Sequence, residues 1–261
     1  MFFWIYDIPT WQLGLIFALL FVGITWIGIL FLSPFLKMWL KGQEGINDLV
    51  GYALSGFGVF YGLLLGLLSV ATYQNSTDVS STVTKEAASL AALYRDVSSY
   101  PEPVRTDLTG KLRSYTEFVI NQAWPAQRKG EIHPGGVKMM DDFQKVIANF
   151  EPVTKGQEIL HAEALRQYND MILLRRQRLQ SIGTGIPGVM WYVVGVGAVI
   201  NTLLILCFRM RLDIHLVIGG LLSFFVGVLI FLVAAMDYPF RGEVSIGPDA
   251  FQLIYTSLMS R

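Results

Sequence analysis

Residues 49–77 read LVGYALSGFGVFYGLLLGLLSVATYQNST, a stretch without a single Asp, Glu, Lys or Arg. The hydrocarbon core of a bilayer is crossed by about 20 apolar residues in a helix, and this run exceeds that length. At roughly 100° per residue, Gly51, Ser55, Gly58, Gly62, Gly66 and Ser69 fall within an arc of roughly 80°. Small residues let helix backbones approach closely in lipid, where apolar side chains gain nothing by hiding from acyl tails. The stripe therefore reads as a packing seam, or alternatively as the wall of a conduit with room for ions. A second face carries Tyr52, Gly56, Phe60, Leu63, Leu67 and Ala71. It suits a hydrophobic constriction that gates by dewetting, or plain contact with lipid or core. On either reading of the stripe this helix belongs at the centre of an assembly.

Three more stretches lack charge: Ile8–Leu36, Leu179–Phe208 and Ile214–Met236. The expected fold is all-α, a multi-pass membrane protein with four transmembrane helices and a helical bundle inserted between the second and third spans. The boundaries read as residues 1–72 for a first transmembrane pair, 73–186 for a water-facing bundle, 187–236 for a second pair and 237–261 for a tail. Trp4, Tyr6 and Trp11 suit an interfacial aromatic belt beside a first span, Trp11–Leu32, that ends near Ser33-Pro34. The start carries Asp7 and no positive n-region, so it does not read as a cleaved signal. A connector from Lys37 to Asp48 leads into the second span, Val50–Thr72. The third span, Gly188–Phe208, begins behind Pro187, and the fourth is Ile214–Met236.

Between Asp78 and Arg178 lie 14 basic and 13 acidic residues. That near balance gives no electrostatic case for nucleic acid. Periodicity there is helical: Val79, Val83, Ala87 and Leu90, then Val104, Leu108 and Leu112, then Met140, Phe143 and Ile147, then Leu160, Ala164, Tyr168 and Met171. Breaks are expected at Pro101 to Pro103, Trp124-Pro125, His133 to Gly136 and Glu151-Pro152. No Pro or Gly occurs from Ser69 to Ala92, so the second span is expected to run on into the bundle as one rod.

No catalytic motif is present, and the chain is not expected to be an enzyme. His133, His161 and His215 are far apart without ligand spacing, so neither metal nor cofactor is expected. Cys207 is the one cysteine, which forbids an intrachain disulfide. The spans hold none of the acidic or basic residues that proton-coupled transporters place there. Thr25, Asn201 and Thr202 read as interhelical hydrogen-bond formers. Arg175, Arg176 and Arg178 read as a solvated face or as partners for acidic residues such as Glu86. Alternatively, they attract anions or anionic headgroups.

Taken in order, several landmarks carry a family resemblance. They are Gly62-Leu-Leu-Leu-Gly66, Glu86-Ala-Ala-Ser-Leu-Ala-Ala-Leu-Tyr-Arg95, Leu112-Arg-Ser-Tyr115, Trp124-Pro125, Arg175 to Leu179, Pro187 with Trp191, and Asp237-Tyr-Pro-Phe-Arg-Gly-Glu243. Together they resemble the bestrophin-like family of bacterial and plant membrane proteins, over nearly the whole chain. That group is remotely similar to bestrophins, oligomeric anion channels with four spans per subunit and a large cytoplasmic helical region. The resemblance implies Tyr52, Gly56 and Phe60 as pore-lining residues, with Gly56 standing where a bulky residue is expected. Pro239-Phe240 with Gly242-Glu243 is similar to the stretch before the calcium clasp of animal bestrophins. Here Arg241 interrupts it, and only Asp249 follows as an acid, so Asp237 and Glu243 are expected to cap helices or pair with Arg241.

The reading is an oligomeric channel for passive conduction of small ions, anions being favoured by the resemblance. It would be a homo-oligomer built through the second transmembrane helix in a bacterial inner membrane, with bundle and termini cytoplasmic. The alternative is a membrane-anchored sensor or scaffold acting through its bundle, without transport.

Overall fold

The computed structural model describes residues 3–40 and 44–260; Lys41, Gly42 and Gln43 of the connector lie outside the described residues. In chain order the helices are α1 (Thr10–Ile27), α2 (Ser33–Trp39), α3 (Ile46–Val97), α4 (Val104–Phe118), α5 (Trp124–Arg128), α6 (Gly135–Ala148), α7 (Lys155–Ser181), α8 (Gly188–Leu206), α9 (Leu212–Met236) and α10 (Asp249–Ile254). No strand occurs among the described residues. Four helices are long and apolar enough to cross a membrane: Thr10–Trp39, Ile46–Val97, Gly188–Leu206 and Leu212–Met236. The expected rod is present, since α3 runs 52 residues without interruption.

Two expected breaks are absent. The first helix does not stop at Pro34 but continues to Trp39, and the chain stays helical through Pro125 to Arg128. Proline lacks an N–H, and its ring collides with the carbonyl four residues earlier. Those carbonyls belong to Leu30 and Asn121. Each lies within a π-helical turn, Gly28–Leu32 and Val119–Ala123. The wider turn moves the offending carbonyl aside, so the helix absorbs its proline instead of ending.

The chain forms two units. The first comprises residues up to Gln74, Gly185–Asp237 and Gly242–Val244. Its core joins Tyr61, Leu65 and Leu68 of α3 to Val194 and Ala198 of α8 and to Ile230 and Val233 of α9. Helices α1 and α9 touch backbone to backbone. A Cβ on Gly227 would meet the Phe17 carbonyl oxygen at 2.9 Å and the Ala18 Cα at 3.0 Å. Thr25 Oγ1 and Ser223 Oγ share a hydrogen bond of 2.5 Å across the same pair, a contact of the kind polar residues make between helices in lipid. Outward-facing Leu19, Phe31, Val217, Leu221 and Phe225 are exposed apolar side chains, as a helix wetted by lipid requires.

The second unit comprises Asn75–Thr184, Tyr238–Arg241 and Ser245 onward. The helical stripes read from the sequence meet in its core: Val83, Ala87 and Leu90 of α3, Leu108 and Leu112 of α4, Met140, Phe143 and Ile147 of α6, and Ala164 and Met171 of α7. Helix α7 opens on a capping box, with Gln157 N donating to Thr154 Oγ1 at 3.3 Å and Thr154 N to Gln157 Oε1 at 3.4 Å. Phe240, Phe251 and Met259 of the last segment are fully buried in this core.

Candidate functional site

Helix α3 presents three distinct faces between residues 50 and 72. One is spent inside the chain's own core: Tyr61, Leu65, Leu68 and Thr72 are buried, and the Tyr61 hydroxyl donates to the Val194 carbonyl at 2.9 Å. The glycine opposite, Gly197, lies directly beneath the Tyr61 ring. Roughly 150° away around the helix is the face of Tyr52, Gly56, Phe60, Leu63 and Leu67. Tyr52 is 78% exposed and Phe60 76%.

The small-residue stripe lies on the flank between them. Nothing comes within 4 Å of a Cβ built on Gly51, Gly56, Gly58, Gly62 or Gly66. Ser69 spends its hydroxyl on the Leu65 carbonyl of its own helix, at 2.8 Å. Ser55 is exposed. Glycines 14, 28, 197, 219, 220 and 227 are instead glycines against which the chain's own helices close up. The sequence signal for those on α9 is the three- and four-residue spacing of Gly219, Gly220, Ser223 and Gly227, the small-residue pattern of close helix pairs.

Glu243 caps a helix, whereas Asp237 ties down the segment that precedes one. Asp237 Oδ1 accepts from Ile186 N at 2.5 Å and Oδ2 from Trp191 Nε1 at 3.0 Å, holding the entry to α8. Glu243 Oε2 accepts from Thr10 N at 2.9 Å, one of the orphan amides that open α1. Two carboxylates spent in this way do not fit a calcium site, which wants six to eight oxygen ligands. Arg241, the residue that interrupts the motif, donates from Nη2 to the Lys129 carbonyl at 2.6 Å.

In the second unit the arginine cluster resolves at Arg178. Its Nε and Nη2 hold Glu86 at 2.6 and 2.9 Å, and its Nη1 donates to Gln127 Oε1 at 2.7 Å. Arg178 is 1% exposed and Glu86 0%. The guanidinium lies 5.3 Å from the Trp124 ring and 5.6 Å from the Phe251 ring. Burial alone would lower the Arg178 pKa, but the Glu86 carboxylate and its hydrogen bonds outweigh that and raise it. A buried bidentate pair with a third hydrogen bond to Gln127 fixes the register of four segments at once. The sequence points to Glu86 as a partner of this cluster; it gives no sign of Gln127 or Phe251.

The family model described as the Bestrophin-like domain matches residues 19–251. The chain belongs to the bestrophin-like family. Solved structures share its fold at low sequence identity. The bestrophin homolog of Klebsiella pneumoniae superposes with a TM-score of 0.68 at 13% identity, covering 94% of this chain and 97% of that one. A variant of the same homolog gives a TM-score of 0.68 at 12% identity over the same shares. A structure described as a membrane protein variant gives 0.67 at 14%, again covering 94% and 97%. None of the curated proteins matches the chain. Within the bestrophin-like fold, α3 leaves two of its three faces uncovered by the rest of the chain over residues 50–72, which makes it the candidate site.

Proposed function

We propose that this bestrophin-like protein assembles as a homo-oligomer around α3 and conducts small ions passively, anions foremost. One observation carries the reading: the burial pattern of α3. A helix that gives one face to its own subunit, in a cyclic assembly, turns the opposite face to the axis and its flanks to neighbouring copies. The opposite face is Tyr52, Gly56 and Phe60, and the open flank is the Gly51, Ser55, Gly58, Gly62, Gly66 and Ser69 seam. Pore-facing positions four residues apart are stacked about 6 Å apart along the helix. Rings of Tyr52 and Phe60 would form an apolar constriction that opens by wetting, with the smaller Gly56 leaving a wider belt between them. Preference for anions rests on the likeness to bestrophins. By the same likeness the protein sits in a bacterial inner membrane, with residues 73–186 as a cytoplasmic bundle.

The test is chloride efflux from liposomes containing the purified protein. Efflux is expected, and Phe60→Ala and Gly56→Leu are expected to change its rate in opposite directions. Silent liposomes containing an intact oligomer at adequate density would move the assignment to a membrane-anchored scaffold acting through its bundle.

A further inference from the structure

In the first unit, α2, α3 and α9 each send a side chain to the end of α8 or the link that follows it. The Ile205 carbonyl accepts from His215 Nε2 of α9 at 2.9 Å, and the Leu206 carbonyl from Ser33 Oγ of α2 at 2.8 Å. Both belong to the last turn of α8, whose carbonyls have no partner within the helix. Arg209, in the link, takes the start of α3. Asn47 Nδ2 donates to the Arg209 carbonyl at 2.8 Å, and Arg209 N donates to Asn47 Oδ1, also at 2.8 Å. Arg209 is itself held, because its Nη2 donates to the Lys37 carbonyl at 3.2 Å and to the Leu40 carbonyl beside it.

An amide that both gives to and takes from one residue's backbone, as Asn47 does, fixes direction as well as distance. Asn47 stands fourteen residues before Tyr61, and so on nearly the same stripe of α3, the one turned to the chain's own core. Tyr61 is the other polar pin on that stripe, through the Val194 carbonyl. Between the two pins, on the outward side, come Tyr52, Gly56 and Phe60. Tyr52 lies about 7.5 Å along the helix from Asn47 and about 140° around it. At 78% exposed, the Tyr52 ring gains little hold from contacts of its own. Its height and bearing come from the backbone behind it.

We propose that Asn47 is a positioning residue for the constriction: its paired hydrogen bonds to Arg209 set the height and rotation at which Tyr52 faces the axis. This role rests on the axial place proposed for α3. Loss of the pair leaves the buried Ile46 and Val50 as the hold on α3 ahead of Tyr61, and apolar burial is non-directional.

The experiment uses the full-length protein. In a Cys207→Ser, Tyr52→Cys background, the reaction of the cysteine with a small water-borne thiol reagent is timed in detergent. Asn47→Ala is expected to change that rate severalfold. Asn47→Asp keeps the acceptor for Arg209 N but loses the donor, so its rate is expected to fall between; it serves where Asn47→Ala does not fold. In liposomes, Asn47→Ala is expected to change chloride efflux while Tyr52 is present and to add nothing to Tyr52→Ala, the non-additivity of two residues acting through one ring. A plain structural tie would lower the melting temperature and leave these readings alone. Unchanged labelling at position 52 in both variants, or the same change in efflux with Tyr52 and without it, would overturn the proposal. Silent wild-type liposomes would overturn the conduction reading instead, and the labelling rates then decide the role of Asn47 on their own.

Discussion

Glu86 illustrates how much one residue reveals through its place in an apolar stripe. It falls in phase with the buried Val83, Ala87 and Leu90, and a carboxylate on an apolar face must find a partner. That necessity makes its link to the arginine cluster legible. Gln127 gives no such signal: a glutamine beside an expected break at Pro125 reads as surface. Glu86→Gln leaves the Arg178 charge buried and uncompensated, and is expected to cost about 3–5 kcal/mol, read as a lowered denaturation midpoint. Replacing both partners with apolar residues of similar volume should recover most of that loss. His161 supplies a second test. Its Nδ1 is 2.7 Å from the Tyr100 hydroxyl, it packs on Phe150, and burial lowers its pKa from the usual imidazole value. Below a pH of about 6.5 the unfolded chain takes up a proton that the folded ring resists. Stability should therefore fall as pH drops from there toward the folded pKa, and His161→Gln should flatten that slope in pH-dependent melting curves. Asp96, whose pKa burial and then Glu163 raise and Arg166 lowers, acts oppositely: its contribution is lost as pH rises through the carboxylate range.

At the scale of whole helices, glycines fall into two classes that sequence spacing alone does not separate. Both Gly62 on α3 and Gly227 on α9 sit in small-residue patterns, yet Gly227 has the Phe17 backbone against it and Gly62 has nothing within 4 Å. Gly227→Leu is expected to force α1 from α9 and lower the yield of folded subunit. Gly62→Leu is expected to leave the subunit folded and reduce the native oligomeric mass. Native mass spectrometry beside a melting curve distinguishes the two, and an unchanged assembly in Gly62→Leu would remove the seam. Prolines are the harder signal. Pro187 behaves as expected, directly ahead of α8, whereas Pro34 and Pro125 are carried within helical segments because the π-helical turns before them make room. Sequence patterns do not announce a π-turn, since it replaces one hydrogen-bond register with another and leaves the apolar spacing nearly intact.

For the molecule as a whole, the four spans and the all-helical class are legible, because a bilayer and a 3.6-residue period each leave an unmistakable pattern. The axial place proposed for residues 50–72 is harder to read. Whether an exposed apolar face meets lipid, water or a copy of itself depends on partners that one chain does not encode locally. Patterns of accessible surface sharpen that choice into a measurement. If α3 surrounds an axis, single cysteines placed at Tyr52 or Phe60 in a Cys207→Ser background should react with small water-borne thiol reagents, and reaction should block chloride efflux. Cysteines at lipid-facing Leu221 should leave efflux untouched. The burial of Phe240, Phe251 and Met259 beside helices encoded far upstream has a consequence for biosynthesis. While the ribosome is still threading α8 and α9 into the membrane, the earlier helices wait with an open apolar seat and an arginine missing its Phe251 lid. The nascent chain must shelter that half-built core until residues 240–259 emerge to close it.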